Sequence, residues 1–359
     1  MIRARWFAAA WLLGLPAVAP AQSPGVTSPR ALPGMSSPAA VLLEDWSDWK
    51  AYNNAGWRAM SKGYFDTAEH EFYSAVKAAR RPSLNDGRLM ARSYADLAWA
   101  LQKQGRLAEA EPLARWALAA REEKLGPEAP QVAQGLNQLA TLRAEQGQDS
   151  EAEALLRRAS AFPPGRTPAE VVERARTHSL LGILLVGQRR YAEAEPEFAR
   201  AVSLREKAQG PSDPETGDDV NNLAWARLEQ GKVAEARPLF DRALVLFERA
   251  RGPGDLSVAR ALDGLARIQA GQGELAEAES RYRRSVEIRA KPAGRDDPGL
   301  ARALGDYADL LDRMGRRADS ATIRARIVRP GAEVPRRSRA DRPRPPDARP
   351  AAGQSRAGG

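Results

Sequence analysis

The sequence predicts an all-α solenoid of about seven helix-turn-helix units, and three observations predict it. Ala, Leu, Glu, Arg and Gln dominate the middle of the chain while Ile, Val, Thr and aromatic residues are sparse there, which favours helix over strand wherever proline is absent. The segment Gly105-Arg106-Leu107-Ala108-Glu109-Ala110-Glu111 returns with small changes. Its first position falls at Gly63, Gly105, Gly147, Arg189, Gly231, Gly273 and Gly315, each 42 residues after the last. Apolar residues keep helical spacing on both sides of that glycine, so each unit reads as helix, tight turn, helix. Neither helix can bury its apolar stripe without a neighbouring unit.

In chain order, the N-terminus carries Arg3 and Arg5, an apolar run from Trp6 to Leu15, Pro16, and then Ala19-Pro20-Ala21. That order predicts a signal peptide over residues 1–21, cleaved after Ala21, because the apolar run is well short of the roughly 20 residues that span a bilayer. A periplasmic or secreted protein, with no transmembrane segment after cleavage, is the expectation. Residues 22–40 are rich in Ser, Pro and Gly and predict a disordered linker. The chain has no Cys, which excludes a lipid-modified N-terminal cysteine, a disulfide or thiolate chemistry.

The repeats fill residues 41–328. Five positions after each turn stand Ala68, Ala110, Ala152, Ala194, Ala236, Ala278 and Ser320, small wherever two helices have to cross closely. Eight positions before it stand Leu97, Leu139, Leu181, Leu223, Leu265 and Tyr307, a packing column. Loops such as Gly126-Pro127, Gly210-Pro211 and Gly252-Pro253 end one unit and open the next. Trp46, Trp49, Tyr52 and Trp57 in unit one are read as an apolar closure of the first end. Arg317, Ser320 and Arg324 in unit seven are read as a polar cap on the other.

Residues 329–359 combine six prolines with eight Arg against three acids and predict a disordered basic tail. This tail carries +5 and residues 1–40 carry +3 of the formal net charge of +9, which leaves +1 for residues 41–328. The folded part is near neutral, so no nucleic-acid partner is expected.

On these columns, from about Asp45 to Val328, the chain resembles the tetratricopeptide repeat, and its 42-residue unit with a Gly-Pro loop and an Ala-Glu-Ala-Glu-Pro stretch resembles the kinesin-light-chain-like variety. The resemblance implies a right-handed superhelix that works as a protein-interaction scaffold, with the first helix of each unit lining a concave groove. It also implies which columns face a bound segment. Thirteen positions before the turn these are Arg92, Arg176, Arg260 and Arg302; ten before, Asn137 and Asn221; six before, Trp99 and Trp225. Asn can pair with peptide backbone in both senses and Arg can fork onto a carboxylate, so a protein or peptide ligand, acidic or presented by its C-terminus, is the expected partner. The alternative is a cell-envelope polymer or lipid-surface binder acting through the basic tail.

No catalytic, metal or cofactor site is expected. His178 occupies a column otherwise filled by Tyr94, Leu136, Val220, Leu262 and Leu304, and so reads as a buried core residue; His70 lies three units away. The pairs Glu109/Glu111 and Glu193/Glu195, two residues apart, do not share a helix face and are read as solvated charges. With no Cys, no paired His and no nucleophile in a recognisable setting, an enzyme is not predicted.

Overall fold

The computed structural model describes residues 38–84, 87–291, 297 and 299–328. The expected signal peptide, the linker as far as residue 37 and the tail lie outside these residues. Helix begins at Pro38, within the last three residues of the stretch expected to be linker.

Fourteen α-helices and one short 3-10 turn make up the described residues, with no strand among them. They form seven hairpins in chain order: α1 (Pro38–Ser61) with α2 (Phe65–Ala79), α3 (Gly87–Lys103) with α4 (Leu107–Leu125), α5 (Pro130–Glu145) with α6 (Asp149–Ser160), and α7 (Pro168–Gly187) with α8 (Tyr191–Gln209). The series continues with α9 (Pro214–Glu229) and α10 (Val233–Arg251), α11 (Leu256–Gln272) and α12 (Leu275–Arg289), and α13 (Gly299–Arg313) and α14 (Arg317–Val328). Each helix packs on the next, and first helices of successive repeats also touch one another. No described helix is long and apolar enough to cross a membrane.

The turn column shows why the interval holds. All seven turn residues have positive φ, from 61° at Arg189 to 84° at Gly273. Arg189 is the one described non-glycine residue in that region, and its exposed side chain leaves the repeat geometry unchanged. The left-handed conformation lets the chain reverse within three residues. The following N–H then returns to a carbonyl of the first helix, as in Arg190 N to Leu185 O at 2.9 Å and Lys232 N to Arg227 O at 3.0 Å.

Packing follows the small column. Its six alanines are wholly buried and Ser320 is 2% exposed. Phe72, Phe198 and Phe240 fill the space beside it, and room for a ring has to be made on the facing helix: a methyl group on Gly182 would stand 2.6 Å from the Phe198 ring. At the N-terminal end Trp49 is buried and donates Nε1–H to Ser93 Oγ at 2.8 Å, with Trp46 and Tyr52 packed beside it, as expected of a closing layer. At the other end Arg324 faces outward and pairs with Asp309 and Asp312.

One column of charge runs along the outer helices, and here a sequence reading is corrected. Glu111 and Glu195 are not solvated: each reaches the following repeat, Glu111 to Arg143 at 2.7 Å and Gln146 at 2.9 Å, Glu195 to Lys232 at 2.6 Å and Gln230 at 2.9 Å. Glu69–Arg106, Glu153–Arg190 and Glu279–Arg316 repeat the link at 2.7, 2.7 and 2.8 Å. Between repeats five and six the polarity is reversed, with Arg237 facing Glu274 at 3.7 Å. Both partners of each pair sit on different repeats, so the spacing in sequence gave no sign of the contact.

Replacing Arg189 by glycine removes a strained φ without touching any contact. It should raise stability to urea by about 0.5–1 kcal/mol, measured as a shift in midpoint at constant slope.

Candidate functional site: the face of the first helices

Helices α3, α5, α7 and α9 carry their groove columns onto one narrow cleft. Trp99, Lys103, Thr141, Glu145 and Arg176 line one part of it, and Ser179, Arg205, Asp218 and Asp219 another. The cavity between them is about 50 Å³, room for a few water molecules and no more.

Trp99 is flanked by two cations. The Lys103 ammonium lies 5.1 Å from its ring centroid and the Arg176 guanidinium 5.4 Å. Lys103 is one helical turn away on α3, but Arg176 belongs to α7, in the repeat after next. Trp225 on α9 is covered in the same way by Arg302 of α13, at 5.4 Å, again skipping one repeat. Each contact is worth about 0.5–2 kcal/mol. Together they hold alternate repeats close and keep the cleft narrow.

The eight residues expected to face a ligand are thus treated differently by the fold. Trp99 and Arg176 meet in the cleft. Arg92 lies over Trp49 and 3.8 Å from Asp96, and Arg302 lies 3.8 Å from Asp306. Arg260 is 7% exposed and bonded to Asp218 at 2.6 Å. Asn137 is buried and donates to Glu173 and Thr177 at 2.8 and 2.9 Å. Asn221 is buried with neither amide atom partnered among the described residues, and Trp225 is 6% exposed, edge-on to Phe240. Open presentation of Asn137, Asn221, Trp225 and Arg260 is therefore corrected: the tight coil of the solenoid closes over them. Of the four arginines, Arg176 is the one with no carboxylate within 4 Å among the described residues.

Sequence columns missed the charged floor. Glu145, bonded by Gln102 Nε2–H at 3.0 Å, is pushed up to about 7 by burial, against the pull of that hydrogen bond and of Lys103. Burial also raises Asp219 to about 6, opposed by Arg205 and by the Ser179 hydroxyl, both hydrogen-bonded to it. Glu145 lies four positions after Thr141, Asp219 two before Asn221, and Arg205 on the second helix of repeat four, and only the coil brings them into one cleft.

His178 is 5% exposed, with Nδ1 2.6 Å from Glu197 Oε2, which places it in the core as expected. No cluster of His, Asp and Glu among the described residues can hold a metal.

Family models described as tetratricopeptide repeat match residues 90–131, 173–237 and 221–291. Those residues are tetratricopeptide repeats. Curated protein sequences give no match. Among solved structures the chain is similar to BtubC (BKLC) from P. vanneervenii, at 20% identity over 67% of this chain and 96% of that one, with a TM-score of 0.51. It is similar to the apo quorum sensor NprR from B. thuringiensis at 16% identity, over 81% and 76%, with a TM-score of 0.60. Apo RapI gives 13%, 81% and 86%, and 0.56. At these identities the likeness is one of fold.

A carboxyl group whose folded value lies above its ordinary 4.5 opposes folding when ionised. For Glu145 the sign is therefore that stability rises as pH falls from about 7 toward 4.5. Urea midpoints at pH 8 and pH 5.5 should differ in that direction, and Glu145→Gln should shrink the difference.

Proposed function

We propose that the chain is a protein-interaction scaffold that binds an acidic peptide segment, or one presented by its C-terminus, in the concave groove. The observation that carries this reading is the Trp99 site: an indole between two cations, one of which, Arg176, has no carboxylate within 4 Å among the described residues. A ligand carboxylate can fork onto Arg176 and an apolar side chain can replace the guanidinium on the indole. The cleft is too narrow for a peptide while the Arg176–Trp99 contact stands, so binding proceeds by parting them. The repeat family supports a scaffold; catalysis is not part of the proposal.

Intact chain presented with a library of acidic peptides should retain a subset. Replacing Lys103 and Arg176 together by alanine should weaken that retention by roughly tenfold to a hundredfold, as the loss of charge-assisted bonds implies. Equal retention by both chains would remove the reading.

The N-terminal pattern of Arg3, Arg5, a short apolar run and Ala19-Pro20-Ala21 supports export to the periplasm or beyond. The exported chain, recovered from an expressing bacterium, should begin at Gln22; recovery only of an uncleaved chain from the cytoplasm would contradict it.

A further inference from the structure

The second helices of repeats two, four and five run for 19 residues each, whereas α6 stops after 12. In place of its missing turns the chain reads Ala161-Phe162-Pro163-Pro164-Gly165-Arg166, and helix resumes at Pro168 behind the Thr167/Glu170 capping box. Two successive prolines lack N–H donors and bar the preceding residue from helix. The 42-residue interval survives the break, so positions can still be compared between repeats.

Sixteen positions after the turn, repeats two, four and six carry Arg121, Arg205 and Arg289. Repeat three carries Pro163 there. Arg205 bridges α8 to α9: it is 3% exposed, its Nε donates to Asp219 at 2.6 Å and its Nη1 to Glu215. Forty-two residues before Glu215 and Asp219 stand Glu173 and Thr177, both on α7. The acceptor at Glu173 thus persists at a junction whose arginine is gone.

Glu173 is 6% exposed. Its Oε1 accepts from Asn137 Nδ2, and no described residue donates a hydrogen bond to its Oε2. Arg121 is near enough to attract it but makes no ion pair with it within 4 Å; the bond Arg121 does make goes to the Gln131 carbonyl at 3.3 Å. Beside Glu173 opens a cavity of about 340 Å³ lined by Glu128, Pro130, Phe162, Pro163 and Thr177, and also by Glu170, which accepts from the Arg166 N–H, and by Arg166 and Arg174, the latter donating to the Phe162 carbonyl at 2.9 Å. Small-ligand sites span about 300–1,000 Å³. Three carboxylates, Glu128, Glu170 and the nearly buried Glu173, outnumber the two guanidinium groups on the lining, and with Pro130, Phe162 and Pro163 beside Glu173 the recess suits a planar cation on an aliphatic stem.

We propose that this recess between repeats three and four binds an arginine side chain supplied by a protein partner, seated where Arg205 sits one repeat further along. Glu173 and the Thr177 hydroxyl accept from the guanidinium, and Phe162, Pro163 and Pro130 cover the stem. The site shares no residue with the Trp99 cleft. Replacing Lys103 and Arg176 leaves it intact, so the two readings fail separately.

The test uses the intact chain and two probes, N-acetyl-L-arginine methylamide and its neutral citrulline isostere, titrated by NMR. The arginine probe should bind saturably, with the citrulline probe weaker by about tenfold or more. Glu173→Gln should give the same loss. Ala133 also lines the recess, so Ala133→Leu, which occupies it and leaves the carboxylate in place, should also block the probe while the melting curve stays cooperative; it decides the matter should Glu173→Gln disturb the fold. Equal affinity for both probes, or full arginine binding by a folded Glu173→Gln or Ala133→Leu chain, overturns the proposal. Binding that emerges only after the eight arginines of residues 329–359 are replaced by glutamine overturns the partner assignment and gives the site to this chain's own tail.

Discussion

Close approach of two helices at one small residue is the constraint on which everything else rests. Ala68, Ala110, Ala152, Ala194, Ala236 and Ala278 are wholly buried, and Ser320 nearly so. A side chain with even one more carbon at any of them would push the second helix away from its partner. The spacing in chain between that contact and the left-handed turn is constant, so every hairpin closes alike at its turn, whatever the length of its second helix. Hairpins closed alike and stacked in series produce a coil, and the coil decides what the inner face looks like.

The coil here is tight enough that residues two repeats apart meet. Trp99 with Arg176, and Trp225 with Arg302, are the clearest cases. They turn what would be an open trough into a cleft whose walls touch. Several polar groups lose contact with water as a result: both amide atoms of Asn221, Nε1 of Trp225, and Nε and Nη1 of Arg260 are buried without a partner among the described residues. Each such group costs about 1–3 kcal/mol. The closed arrangement therefore holds unmet hydrogen-bonding capacity on the face that a ligand would enter.

Much of the fold was legible in the sequence and less of the site. Helix pairs, turns and the core place of His178 follow from a strict interval, because local contacts within one hairpin repeat with it. Even Arg189 was legible as a turn residue: its column placed it there, and its φ of 61° agrees. The cleft was not, because it depends on how far each repeat rotates on the last, a small angle that no single residue encodes. Column arithmetic named Arg260 and Asn221 as facing a ligand and could not see that Arg260 turns back onto Asp218 of the preceding repeat or that Asn221 is buried. The Pro163-Pro164 break lay in plain view and was passed over, since it leaves the interval unchanged while it empties a space that Arg205 fills elsewhere.

The reversed pair between Arg237 and Glu274 bears on how such arrays gain and lose units. In an array with the same polarity at every junction, an in-frame deletion of one unit would bring matching faces together. Here, removal of the fifth unit would set Glu195 against Glu274, and removal of the sixth would set Arg237 against Arg316. Like charges would face each other in both cases. These two units are a matched set, fit to be duplicated or discarded by recombination only as a couple.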